Sequence, residues 1–287
     1  MSRSYLLALV DGGGNVGPEL HAARCLVERG HRVTVIADDS VAADVEATGA
    51  ARRRWVRAPN RIDRRPEHDP IRDWECRYPW QLIARMTAAQ LVGPAEAYAA
   101  DTRDVLEETG ADRVLCSMLC LGPMIAAEAA RIPFDVLFST IYLLPAEGLP
   151  PFGVGLRPGT NPFTRARDRA INAFSTRVWD ANGLAGLNDV RSRLGLEPLS
   201  HVFDQVRRAR RQLVLTARAF DFDARLPSTV RYVGPVMDDP LWAATSSWTP
   251  PGGDDPLVLV ALSSTFQEQV QCLQRIVDAL ARLRVRG

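Results

Sequence analysis

Between residues 5 and 18 the chain passes from an unbroken apolar run, Tyr5-Leu-Leu-Ala-Leu-Val10, through Asp11-Gly-Gly-Gly-Asn-Val-Gly-Pro18 into a stretch whose apolar residues, Val16, Leu20, Ala23 and Val27, recur at helical spacing. An apolar run with no polar alternation is the pattern of a strand covered on both faces. Glycines directly after it allow a tight turn and let backbone N–H groups at a helix start approach a polar ligand. Strand, glycine turn and helix in this order predict the opening of a parallel α/β sheet. Pro18 suits the first turn of the helix and Gly30 its C-terminal cap.

The alternation continues. Strands are predicted over 32–37, 52–56, 113–116, 134–138, 212–216 and 230–233, and helices over about 41–48, 80–109 with a break at Gly93-Pro94, 122–131, 163–182 and 187–194. Two stretches break the pattern, 57–79 and the proline- and glycine-rich 143–162, and both read as binding loops. After Gly234-Pro235 the composition becomes that of a linker. The alternation then restarts with a buried-type strand over 257–262 and a helix over 267–283 carrying Val270, Leu273, Ile276, Val277 and Leu280 on one face. One strand and one helix leave a sheet edge and an apolar face uncovered, so this second unit is expected to be the truncated start of another Rossmann-like domain.

Charge and composition exclude several functions. The formal net charge of +1 in 287 residues supplies no field for nucleic acid or membrane lipid. The chain has no lysine, so all 35 basic residues are arginine, and Schiff-base chemistry, a P-loop and a Tyr-x-x-x-Lys reductase site are ruled out. The arginines of 52–65 either line a site for an anion or form a surface paired with the acids around them, the second being favoured by Glu67, Asp69, Asp73 and Glu75 nearby. The five cysteines lack framework or zinc spacing and read as reduced core thiols. No apolar run is long enough to span a membrane, and a cytoplasmic location is expected.

Taken literally, Gly12-x-Gly14-x-x-Gly17 is a dinucleotide fingerprint, with Asp38 where a ribose-binding acid would stand, and an NAD(P)-dependent Rossmann oxidoreductase is the alternative enzyme. The glycines also suit plain strand–helix packing. A wider pattern favours another reading. Gly14-Asn-Val-Gly-Pro18 followed by Arg29-Gly-His-Arg-Val33, the segment Val230-Arg-Tyr-Val-Gly-Pro-Val236, and Leu259-Val-Ala-Leu-Ser-Ser-Thr265 together resemble the GT-B-fold, family 1 glycosyltransferases, including those that act on macrolides and other antibiotics. The resemblance implies an acceptor-binding Rossmann-like domain over 1–236, a linker over 237–255, and the first strand and helix of a donor-binding domain over 256–287. It implies inverting, metal-independent transfer from a UDP- or TDP-sugar to a hydrophobic small molecule. The sugar nucleotide is a substrate, and no cofactor is expected.

In that family a histidine in the glycine turn takes the acceptor proton and an aspartate closing a later strand orients it. Here the matching positions hold Asn15 and Ser117. Asn15 cannot accept a proton at neutral pH. Either polar positioning by Asn15 and Ser117 suffices, or another group is the base, with His68, Asp11 and Glu147 as candidates, or the chain binds without catalysing. The resemblance assigns acceptor contacts to Gly13, Gly14, Trp74 and Phe152. It assigns donor diphosphate contacts to Ser263, Ser264 and Thr265, which equally suit a helix cap. Phe152, Phe163, Phe174, Trp179, Trp74 and Trp80 could form an apolar acceptor pocket, as the resemblance implies, and most are expected in the core. The 287 residues alone are expected to transfer no sugar, and a protein partner, a homodimer, or an auxiliary role beside a catalytic glycosyltransferase stays open.

Overall fold

The computed structural model describes residues 2–237, 248–263 and 265–286. In chain order its elements are β1 Ser4–Ala8, α1 Val16–Glu28, β2 Arg32–Ala37, α2 Ala42–Glu46, β3 Ala51–Arg54, α3 Pro79–Met86, α4 Ala95–Thr109, β4 Arg113–Ser117, α5 Leu121–Ala129, β5 Phe134–Phe138, α6 Pro162–Arg193, α7 Asp204–Arg207, β6 Arg211–Val214, β7 Val230–Tyr232 and α8 Val270–Leu280. The seven strands form one parallel sheet in the order β3-β2-β1-β4-β5-β6-β7. The chain runs outward from β1 to β3, then crosses back to lay β4 on the other side of β1. The switch point of the sheet therefore lies between β1 and β4, where ligands bind in open α/β folds.

The apolar run of β1 divides by parity between two cores. Leu6, Ala8 and Val10 join Tyr98, Val105, Leu121, Met124 and Leu187 on one face, and Leu7 and Leu9 join Val16, Leu20, Val35, Val41 and Val45 on the other. Alternate side chains of a strand point to opposite faces, so an unbroken apolar run is what a two-sided core requires.

Three segments differ from expectation. The helices foreseen over 163–182 and 187–194 are one 32-residue helix, α6. Gly183 lies within it because a Cβ there would sit 2.7 Å from Thr87 Cγ2 and 3.0 Å from Val92 Cγ2, so the glycine marks a close crossing rather than a helix end. Near its C-terminus, α6 is tied down by the fully buried Arg191, whose guanidinium pairs with Glu128 at 2.7 and 3.0 Å.

The strand foreseen over 257–262 is not formed. Leu257 makes a single bridge to Arg286, and Leu259 is 85% exposed. A buried parallel strand has neighbours on both sides, and among the described residues this segment pairs only at its start, where 256–258 meet Arg286. The following helix is present as α8, with Val270, Leu273 and Val277 exposed. The cysteines also divide. Cys116 and Cys120 are core thiols, Cys25 and Cys76 are partly buried, and Cys272 is exposed.

Residues 57–79 form a loop with short helical turns at Pro66–His68 and Asp73–Glu75. Its start is fixed by Asp101 of α4, whose buried carboxylate accepts the backbone N–H groups of Val56, Arg57 and Ala58 at 2.8, 2.9 and 3.0 Å. The arginines around it are self-paired, with Arg52 on Asp39, Arg53 on Glu108, Arg57 on Asp101 and Asp104, Arg61 on Asp69, Arg64 on Asp11 and Arg65 on Asp63. Replacing Asp101 by Ala frees three backbone donors, of which that of Ala58 is buried and costs about 1–3 kcal/mol when left without a partner. Asp101→Ala should lower the urea midpoint and make trypsin cut first at Arg61, Arg64 or Arg72. Unchanged stability and an unchanged order of cleavage would show that the carboxylate does not anchor the loop.

Candidate functional site

The glycine turn leaves the sheet beside the switch point. Gly13 adopts φ 82°, a left-handed conformation that favours glycine. The Gly12 N–H donates to Asn15 Oδ1 at 3.0 Å and the Gly13 N–H donates to Asp11 Oδ1 at 3.0 Å. Asn15 Nδ2 in turn donates to the Val10 carbonyl at 3.0 Å. Both ends of the Asn15 amide are thus engaged in closing the turn, and Gly14 is exposed at its tip.

One helical turn on, at spacing i to i+4 from Asn15, stands Glu19, only 1% exposed. Its Oε1 accepts the hydroxyls of Ser117 at 2.9 Å and Ser139 at 2.8 Å, and its Oε2 lies 3.4 Å from Asn15 Nδ2. Asn15 and Ser117, the positions singled out by the resemblance, are therefore joined through a third residue, a carboxyl rising from α1. Burial pushes the Glu19 carboxyl up to about 7, against the lowering effect of the bonds from Ser139, Ser117 and Asn15. Ser117 is fully buried at the end of β4, whereas Ser139, just past β5, is half-buried. Neither Glu19 nor Ser139 stands out in the sequence, although the i, i+4 spacing from Asn15 and the matching polar residue after two adjacent strands were both visible signals.

Asp11, in the same turn, has the opposite setting. Burial pushes its carboxyl up, but hydrogen bonds from Arg64 and Ser40, at 2.9 and 2.8 Å, together with the Arg64 charge, hold it below its usual value. Asp38 is buried and accepts the N–H groups of Asp11 at 2.6 Å and Arg61 at 2.9 Å. Burial raises it to about 6 despite those bonds. Each Asp38 oxygen thus already accepts one backbone N–H and ties the glycine turn to the first loop. Gly17, the third glycine of the literal dinucleotide pattern, has nothing within 4 Å of a Cβ built on it, so helix–strand packing does not require it.

His68 lies on the other side of the turn. It borders a small cavity of about 120 Å³ with Asp11, Asp38, Asn60, Arg61 and Tyr98, and its Nδ1 is 2.7 Å from Asp63 Oδ1. It is not part of the Asn15–Glu19–Ser117–Ser139 cluster. A larger groove of about 760 Å³ runs between 145–149 and the start of α6, bordered by Glu147, Leu149, Gly159, Arg165, Asp168 and Arg169. Glu147 lies there rather than in the cluster.

The aromatic residues expected in the core are mostly outside it. Phe163 is 88% exposed, and Phe152, Phe174 and Trp80 are also exposed, while Trp179 packs against Phe203 at 5.1 Å. Trp74 meets Phe266 edge-on at 4.9 Å, and beside it Gln267 Nε2 donates to both oxygens of Asp73 at 2.8 and 2.7 Å. The first loop thus reaches from Asp11 to the segment that holds Ser263 and Thr265, whose hydroxyls are 3.2 Å apart. Ser264 lies outside the described residues. No side chain caps α8, which starts after Gln269, so Ser263 and Thr265 are not its cap.

No protein-family model matches the chain. In sequence it is 24% identical to 4'-demethylrebeccamycin synthase, a glycosyltransferase of Lentzea aerocolonigenes, over 98% of this chain and 68% of that protein. In structure it is similar to the glycosyltransferase of kitacinnamycin, with TM-score 0.67, 22% identity, and 99% of this chain and 64% of the other covered. For CalG4, the calicheamicin glycosyltransferase, the TM-score is 0.57 at 21% identity, with 89% and 57% covered. For the Streptomyces sp. SF2575 glycosyltransferase SsfS6 complexed with thymidine diphosphate it is 0.50 at 15% identity, with 99% and 66% covered. The chain spans about two thirds of the curated relative and somewhat less of these solved structures. The parallel sheet and this set of structures give the chain the fold of the GT-B glycosyltransferases, and along nearly its whole length its sequence is similar to one glycosyltransferase.

Proposed function

We propose that the chain serves a glycosyltransferase that moves a sugar from a TDP- or UDP-sugar to a hydroxyl of a hydrophobic small molecule, with inversion at the anomeric carbon and without a metal ion. The observation that carries this reading is the likeness to 4'-demethylrebeccamycin synthase along nearly the full chain. The thymidine diphosphate of the SsfS6 complex supports a nucleotide-sugar donor. In this reading residues 1–236 hold the acceptor, 237–255 connect, and 256–287 open the donor-binding unit, with Ser263, Ser264 and Thr265 offering hydroxyls and N–H groups to the diphosphate. Gly13 and Gly14 let the acceptor approach the turn, and Phe152 and Trp74 supply apolar contact from the two loops.

The energetics of the site favour a functional over a structural role for the polar cluster. A buried carboxyl with only neutral partners lowers stability when it ionises, and such arrangements concentrate at functional sites. A structural role would be met as well by an uncharged side chain at position 19.

Two expectations follow from the reading. The chain as its gene encodes it, incubated with TDP- and UDP-hexoses and a planar aromatic aglycone, should yield a glycoside of configuration opposite to that of the donor, detected by mass spectrometry and NMR. An absence of product with every donor, combined with tight NADH binding, would instead make it an oxidoreductase. Co-purification with a glycosyltransferase, without turnover of its own, would make it an auxiliary chain.

The second expectation concerns stability against pH. Glu19 titrates at about 7 in the folded chain against 4.5 for an unperturbed glutamate. Between those values the folded state holds a proton that the unfolded state has lost, so stability falls as pH rises through this window and levels off above it. A difference of about 2.5 pH units corresponds to roughly 3 kcal/mol. Glu19→Gln removes this loss, and its unfolding free energy relative to wild type should rise by about that amount from pH 4 to pH 8 in urea titrations. A pH-independent difference would mean that the carboxyl is not buried as described.

A further inference from the structure

Neither position matching the family's catalytic pair holds a group that can take a proton, yet the carboxyl that joins them can. Ser139 is the member of the cluster on the accessible side. Its hydroxyl donates its one proton to Glu19 Oε1 at 2.8 Å, and among the described residues no group donates to Ser139 Oγ, which leaves its lone pairs free to accept from outside. Ser117 has the same bond to Glu19 but is fully buried, so it can hold the carboxylate and cannot meet an acceptor. Asn15 stands within reach of Glu19 Oε2 and fixes the other end of the carboxyl.

Resting on the glycosyltransferase reading, we propose that Ser139 and Glu19 form a two-step proton relay that activates the acceptor hydroxyl, with Ser139 as the group that touches the acceptor and Glu19 as the terminal base. As the acceptor oxygen forms its bond to the anomeric carbon, the bond from that carbon to the nucleoside diphosphate breaks and the diphosphate leaves with the bonding pair. The acceptor proton passes to Ser139 Oγ while the proton of Ser139 passes to Glu19 Oε1. After the products leave, Glu19 returns its proton to solvent along the same path, so the net release is one proton per transfer. Asn15 and Ser117 are positioning residues.

The groups that face Glu19 suit a base poised near neutrality. From β4 and β5 come the Ser117 and Ser139 hydroxyls, and from its own helix comes the Asn15 amide. The titratable groups that feel its charge include the thiols of Cys116 and Cys120, which burial holds protonated.

The test measures turnover against pH, acceptor affinity and Glu19 titration in the chain as its gene encodes it. Wild type should show a rate that rises through about pH 7. Glu19→Gln keeps the shape of the protonated side chain, and should lose about 10²–10⁴-fold in turnover together with that rising limb, at unchanged acceptor Kd. Ser139→Ala should lose turnover to a similar extent and Ser139→Thr should restore most of it. Glu19→Gln within threefold of wild type, or with the rising limb intact, overturns the relay. A titration arm covers a variant that fails to fold under assay conditions. The carboxyl of Glu19, followed by carbon NMR, should titrate higher in Ser139→Ala, because a bond that favours the charged form has been removed, and an unmoved midpoint overturns the relay regardless of turnover. A wild-type chain that transfers no sugar at any pH refutes the glycosyltransferase reading itself. That outcome is recognised in the wild-type arm alone, and the relay's role in transfer falls with it.

Discussion

Because β1 is paired on both edges and packed under helices on both faces, the chain can leave it only at the C-terminal edge of the sheet, and the polar groups that follow must be satisfied within a few residues. The turn 11–18 does this with its own side chains. Asn15 bonds Gly12 and Val10, Asp11 bonds Gly13, and a left-handed Gly13 closes the loop. Everything placed at the switch point depends on that closure, since it sets the start of α1 and so brings Glu19 beneath the ends of β4 and β5.

The first loop is held by a different means. With no lysine in the chain, every cation there is a guanidinium, which offers several donors in a fixed fork and can bond two partners at once. Arg57 bonds Asp101 and Asp104, and Arg61 bonds the Asp11 carbonyl, the Asp63 carbonyl and Asp69. Exposed pairs of this kind contribute little singly. Here they run between backbone anchors fixed by buried carboxylates, Asp101 at one end and Asp38 in the middle. An irregular segment with little apolar content thereby keeps one course from β3 past the glycine turn to Asp73.

Much of the fold was legible in the residues because it follows from local rules. An unbroken apolar run located β1, short runs rich in apolar residues located most of the other strands, with the arginine-rich β3 the exception, and Pro18 and Gly30 marked both ends of α1. The failures have one cause, which is that tertiary neighbours decide what local composition cannot. Residues 183–186 read as a gap between two helices in sequence, and Gly183 is a close crossing within one helix in space. Residues 257–262 have strand composition, and they pair only through Leu257. Phe163 and Phe174 are apolar and yet exposed on α6. At the candidate site, the resemblance pointed to Asn15 and Ser117, which the structure joins only through Glu19, and Glu19 comes from a helix position that looks like an ordinary first-turn acid favoured by the helix dipole. Only the approach of β4 and β5 shows that it points inward.

Two carboxyls near one turn now stand in opposite electrostatic settings. Asp11 has a guanidinium on it and stays charged, whereas Glu19 has hydroxyls and an amide, which stabilise its charge without cancelling it. Environments that push neighbouring titratable groups apart separate structural from catalytic roles, because a permanently ionised, paired group holds geometry and a group balanced near neutrality can exchange protons. On this argument Asp11 belongs to the scaffold, tying the turn to the first loop. Glu19 is the group free to change state. Placing the base behind a hydroxyl, rather than in the turn itself, leaves Asn15 to hold the backbone, and the same four residues can then serve both closure of the turn and transfer of a proton.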